Sequence, residues 1–128
     1  MNRITHFEIQ ADEPARAMEF YKAVFGWEFI QWADNKYWMI MTAPKDSTEP
    51  GINGGLLPRP VAAHAGGTNA FVCTAVVENF DATGEKIMAA GGRVAMAKFA
   101  LSGMAWQGYF LDTEGNTFGV HQIDPNAK

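Results

Sequence analysis

The 128 residues suit one compact domain with a substantial core, and 48% hydrophobic with 19% charged residues is an ordinary globular balance. A net charge of −4, with ten scattered Lys and Arg, excludes nucleic acid as an electrostatically held partner. No stretch approaches the roughly 18 apolar residues of a membrane span, and "MNRITHFEIQ" lacks the apolar core of a secretory signal. No membrane partner and a cytoplasmic location are therefore expected. The single cysteine, Cys73, allows no internal disulfide and fits a reducing compartment. Its apolar setting, "AFVCTAVV", predicts a buried and inert thiol.

The chain opens on a predicted strand, "HFEIQ", in which Phe7 and Ile9 alternate with His6, Glu8 and Gln10. A helix follows. Asp12 can cap it, Pro14 suits its first turn, and Ala17, Phe20, Tyr21, Val24 and Phe25 form its apolar stripe. Gly26 is the left-handed stop. Three strands are predicted next, at about 27–33, 36–43 and 51–57, with Asp34-Asn35 as the first turn. "LPRPVAAHAGG", residues 57–67, reads as a linker in which His64 is solvent-exposed. A strand around Val72 then leads to a second helix. Asn79 is its cap, Phe80, Ile87 and Met88 its buried side, and Gly91-Gly92 its stop; Thr83 and Gly84 weaken it. Strands at about 92–98, 104–112 and 117–123 close the chain, the last two joined by the tight turn "DTEGN".

This order is a repeat. His6–Phe29 lies over Val72–Ala95, and Gly26 falls on Gly92. The prediction is an α+β fold of two β-α-β-β-β modules, 1–57 and 68–124, joined by residues 58–67 within a single domain. One helix covers only one face of each sheet, so the other faces must curve around a cup or meet a partner. Phe7 and Ile9 go to the helix, which leaves His6, Glu8 and Gln10 on the concave side.

"HFEIQADEPARAMEFYKAVFGWEF" resembles the opening motif of the glyoxalase/bleomycin-resistance/dioxygenase superfamily, also called the vicinal oxygen chelate superfamily. "YFLDTEGNTFGVHQ", residues 109–122, resembles its closing motif. "GINGGLLPRP" and "FGVHQ" are similar to the small bacterial proteins described as glyoxalase-related. The resemblance implies a curved mixed sheet or half-barrel around a cup, a homodimer, and a small-molecule ligand. Metal-using members hold one divalent ion through four positions on the first and last strands of each module. Carried over, these positions fall on His6, near Asn53, on Val72 (Asn69 if the register slips) and on Gly119. Val and Gly cannot bind metal, and a stable site needs three or four suitable ligands.

No metal or other cofactor is therefore expected. The alternative is a shifted site of His6, Glu8 and His121, which would make the protein a divalent-metal-dependent lyase, isomerase or dioxygenase. A third reading is an interaction domain whose cup is filled by its own side chains. Whether the protein is an enzyme stays open. Trp27, Trp32, Trp38 and Trp106 all fall on predicted strands, and indole rings suit flat ligands. The expected ligand-binding set is His6, Glu8, Trp38, Asn53, Trp106 and His121, for a small, partly aromatic or cyclic molecule.

Overall fold

The structure, a computed structural model, describes Ile4, residues 6–63 and residues 71–128. His64 and Asn69 lie outside the described residues. The chain divides into two compact units, Met1–His64 and Ala65–Lys128.

The first unit contains β1 (Phe7–Ala11), α1 (Pro14–Phe25), β2 (Glu28–Gln31), β3 (Trp38–Met41) and β4 (Gly54–Pro58). Its sheet has the order β1-β4-β3-β2, with β1 parallel to β4 and the other pairs antiparallel. Period-2 alternation divides the two faces. Ala11, Ala17, Ile40 and Leu56 form a fully buried cluster, and Phe7, Ile9, Met18, Trp27, Phe29 and Trp38 pack around it. On α1, Ala17, Phe20, Tyr21 and Val24 are buried, as the helical spacing predicts. Each large apolar side chain removed from water there contributes about 1.5–3 kcal/mol.

The ends of α1 match expectation at one end only. Gly26 adopts φ 71° and its N–H reaches the Lys22 carbonyl at 2.9 Å, a left-handed stop. Asp12 does not cap. Glu13 holds the cap position without a side-chain bond, and Pro14 opens the helix. Asp12 Oδ1 instead accepts from Arg59 Nε at 3.0 Å, a partner far along the chain. The strands are shorter than predicted, but the β2–β3 turn falls on Asp34-Asn35 and is closed by Trp32 N–H to the Tyr37 carbonyl.

The second unit contains β5 (Thr74–Val76), α2 (Phe80–Ala89), β6 (Arg93–Leu101), β7 (Ala105–Leu111) and β8 (Thr117–Ile123). Its order is β5-β8-β7-β6, again with one parallel pair, β5 with β8. Asn79 caps α2, its side chain accepting from Ala82 N–H at 2.8 Å. Phe80 and Ile87 are the buried residues of α2, and Met88 is 51% exposed rather than buried. The single step from Ile87 to Met88 turns about 100° of helix, enough to leave the narrow apolar stripe of a short helix. The "DTEGN" turn is held by Asp112, whose Oδ1 accepts from Glu114 and Asn116 N–H at 2.8 Å each.

Both units thus have the expected α+β order, helix on one face of a four-stranded mixed sheet. Among the described residues, no helix is long and apolar enough to cross a membrane.

Candidate functional site

The face of the first sheet turned away from α1 carries the polar half of β1. His6 and Glu8 lie there, with side chains 51% and 46% exposed. Glu8 is in register with Gly55 on β4, and Gly55 with Met39 on β3. Gly55 is the opening in this row. A Cβ there would fall on the Tyr37 hydroxyl, so only glycine lets the phenol ring lie flat across β4.

Tyr37 links the polar residues. Its hydroxyl donates to Glu8 Oε1 at 3.1 Å and stands 2.9 Å from His6 Nε2. The hydroxyl has one proton and gives it to the carboxylate, so His6 must donate through Nε2. The result is a relay His6 → Tyr37 → Glu8. Burial, and then the Glu8 carboxylate beside it, raise the Tyr37 pKa above its ordinary 10.0. The phenol is therefore a neutral donor at physiological pH.

This shift has a pH consequence. Above about pH 10 the unfolded chain releases the Tyr37 proton while the folded chain keeps it, so stability falls as pH rises. Tyr37→Phe should flatten that alkaline decline. Urea midpoints of both proteins between about pH 9 and about pH 11 measure it, and parallel curves would refute the shift.

The second sheet has a related arrangement on the face turned away from α2. His121 Nδ1 donates to Gln107 Oε1 at 2.7 Å, and Gln107 is buried. Thr74 and Gly119 are in register on β5 and β8. A Cβ on Gly119 would collide with Thr74 Oγ1 and come within 3.0 Å of Gln107 Nε2. Polar side chains fill the space over this glycine.

Three expected site residues lie elsewhere. Trp38 packs on the cluster beneath α1. Trp106 lies on the α2 side, its indole N–H donating to Asp124 Oδ2 at 3.0 Å and Lys98 Nζ 4.6 Å over its ring. Asn53 precedes β4 and braces a connection, its Oδ1 accepting from Thr42 N–H at 2.9 Å and Thr42 Oγ1 at 3.1 Å. Tyr37, unassigned from sequence, is the residue that joins His6 to Glu8. Strand alternation held the signal, because it separates Tyr37, Met39 and Met41 from Trp38 and Ile40. A depression of about 590 Å³ lies on the other side of the second sheet, between α2 and β6, lined by Phe80, Met88, Val94 and Lys98 among others.

Cys73 is exposed, not buried, just before the edge strand β5. Desolvation by its neighbours nonetheless pushes the thiol pKa up, away from the thiolate a nucleophile needs.

The metal positions implied by the sequence resemblance do not fit a divalent cation. The register also moves one of them. Glu8–Gly55 in the first sheet corresponds to Thr74–Gly119 in the second, so the counterpart of Gly119 is Gly55, two residues beyond Asn53. The offset that aligns the first strands does not hold to the last, because the intervening connections differ in length. His6, Gly55, Val72 and Gly119 offer one ligand. Among the described residues, no three His, Cys, Asp or Glu side chains gather to hold a metal ion, and His6, Glu8 and His121 are each already hydrogen-bonded.

The Glyoxalase/Bleomycin resistance protein/Dioxygenase superfamily model matches residues 3–120. No curated protein matches the chain in sequence. Among solved structures, a glyoxalase-related enzyme from Fulvimarina pelagi is 14% identical, with 100% of this chain and 96% of that chain covered and a TM-score of 0.72. A glyoxalase/bleomycin resistance protein/dioxygenase family enzyme from Burkholderia phytofirmans is 17% identical, covering 94% and 98%, with a TM-score of 0.72. The fosfomycin resistance protein FosX from Listeria monocytogenes, complexed with Mn(II) and sulfate ion, is 14% identical, covering 97% and 92%, with a TM-score of 0.73. At these identities the likenesses show a shared fold, and the family rests on the match over nearly the whole sequence. The chain belongs to the glyoxalase/bleomycin resistance protein/dioxygenase superfamily.

Proposed function

We propose that the protein binds a small, flat or cyclic molecule on the open face of its first sheet, without a metal. The His6–Tyr37–Glu8 relay over Gly55 carries this reading. It stands where metal-using relatives would place a ligand, yet it presents hydrogen-bonding groups instead. Met39 and Met41 share the face and suit an irregular apolar body. Trp32, 56% exposed, stands where β2 ends. A few convergent polar groups among apolar side chains is the usual composition of a ligand site.

The test is a thermal-shift screen of aromatic and heterocyclic compounds, followed by calorimetric titration of the hits. Tyr37→Phe should weaken a genuine ligand about tenfold, about 1.4 kcal/mol, by leaving His6 and Glu8 unbridged. A screen without a saturable ligand would count for the filled interaction domain. Zinc or nickel binding at one ion per chain, abolished by His121→Ala, would restore the metal-dependent enzyme.

A homodimer in the cytoplasm belongs to the same proposal. Exposed Met88, Val94 and Met96 on and beside the edge strand β6 support burial against another chain. The mass of a single chain by light scattering at micromolar concentration would overturn the dimer.

A further inference from the structure

We propose that the ligand of this face is an aromatic cation, its positive group held by Glu8 and its ring system lying over Met39, Met41 and Trp32. The inference rests on the small-molecule reading above and adds a charge to it.

The charge follows from what the face carries. By strand register its row members are His6, Glu8 and Gln10 on or before β1, Gly55 and Leu57 on β4, Tyr37, Met39 and Met41 on or before β3, and Glu28 and Ile30 on β2. Its carboxylates are Glu8 and Glu28, and no described Lys or Arg shares these rows. The described basic residues of this unit sit elsewhere. Arg16 and Lys22 lie on α1, Lys36 in the β2–β3 turn, Lys45 in the β3–β4 connection, and Arg59 beyond β4 against Asp12.

Three ligand classes can be compared on that face. An anion would meet two carboxylates while the Tyr37 proton is already given to Glu8. A neutral ring would cover Glu8 and strip water from it, leaving it only His6 Nε2, 3.8 Å from Glu8 Oε1, as a neighbouring basic group. A cation supplies a full charge partner, and the half-buried ring of Tyr37 and the exposed ring of Trp32 attract it through their faces. The methionines accept the apolar remainder. Ile30, 47% exposed, extends the apolar floor.

Three acridines of nearly equal size separate charge from shape: proflavine as the cation, acridine as the neutral ring at slightly alkaline pH, and acridine-9-carboxylate as the anion. Fluorescence titration at low ionic strength should rank them in that order. Glu8→Gln keeps an acceptor for the Tyr37 hydroxyl and removes only the charge. It should weaken proflavine about tenfold and strengthen acridine, which no longer strips water from a carboxylate. Glu28→Gln should act in the same direction, more weakly. Added salt should erode the proflavine advantage.

If acridine-9-carboxylate binds as tightly as proflavine, or Glu8→Gln leaves proflavine unchanged, the cation inference falls. Acridine binding that depends on Tyr37 but shows no preference for charge would overturn the inference alone and keep the small-molecule reading. Failure of all three to bind would overturn both. A thermal melt of each variant confirms that the loss is one of binding and not of fold.

Discussion

A single methyl group at Gly54 is expected to cost about 3 kcal/mol, whereas the same methyl at the next residue, Gly55, should cost the fold little and the site nearly everything. The two glycines face opposite sides of β4. On the α1 side, a Cβ at Gly54 would sit 2.5 Å from the Phe7 carbonyl oxygen and 2.8 Å from its ring. The carbonyl belongs to the neighbouring strand, so relief requires β1 and β4 to separate along a register running from Phe7↔Gly54 to Ala11↔Pro58. The Phe7 ring cannot swing away cheaply, because it packs against Trp27 at 6.0 Å and joins the buried cluster. Overpacking typically costs 1–3 kcal/mol, and a backbone collision belongs at the upper end. On the other side, the obstacle at Gly55 is the far end of the Tyr37 side chain. Tyr37 can rotate out, which breaks the bonds to His6 and Glu8. Gly54→Ala should therefore lower the urea midpoint strongly. Gly55→Ala should lower it by less than about 1 kcal/mol and remove ligand binding. Equal midpoints for the two variants would refute this division of the strand.

The same strand shows what a sequence can and cannot disclose. The stripe of α1, the stop at Gly26, the Asn79 cap and the Asp112 turn are local, and each was legible from spacing within a few residues. The repeat was legible too, and with it the α+β fold. Long-range pairing was not. Asp12 looked like a cap because nothing nearby competes for it, but Arg59 crosses from the end of β4 to take its carboxylate. The counterpart of Gly119 was misplaced by two residues because register is set by hydrogen bonding between strands, which a fixed offset does not follow. At the site, His6 and Glu8 were visible as the polar half of an alternating strand. Tyr37 lies inside the run "YWMIM", where composition does not distinguish it from the larger Trp38, which packs into the core. The glycines that make room for these side chains are silent in a sequence. Their meaning is the atom that fills the space.

Gly119→Glu is expected to destabilise the protein by about 2 kcal/mol and to gain no metal affinity by itself. The space that a carboxylate would use is occupied by Thr74 Oγ1 and Gln107 Nε2. Gly119 cannot shift to make room, since its N–H is bound to the Cys73 carbonyl at 2.8 Å and its strand lies between β5 and β7. Thr74 is β-branched, so rotating its hydroxyl away brings its methyl toward the same space. Thr74→Ala should recover about half of the loss, and a double-mutant cycle should show the two positions coupled by about 1 kcal/mol. With that space cleared, chemistry rather than sterics decides. Val76 is in register with His121, and His121 lies two residues beyond Gly119 on the same face of β8. Val76→His, Thr74→Ala and Gly119→Glu together would place two imidazoles and one carboxylate side by side on one face of the second sheet, a ligand set suited to zinc or nickel. The triple variant should bind these ions at least tenfold more tightly than the wild type, about 1.4 kcal/mol or more, by titration calorimetry. His121→Ala should cancel that gain, because two ligands alone offset the dehydration of the ion poorly. A Gly119→Glu protein as stable as the wild type, or a triple variant without metal affinity, would show that the space over Gly119 is not what keeps a carboxylate out of the second sheet.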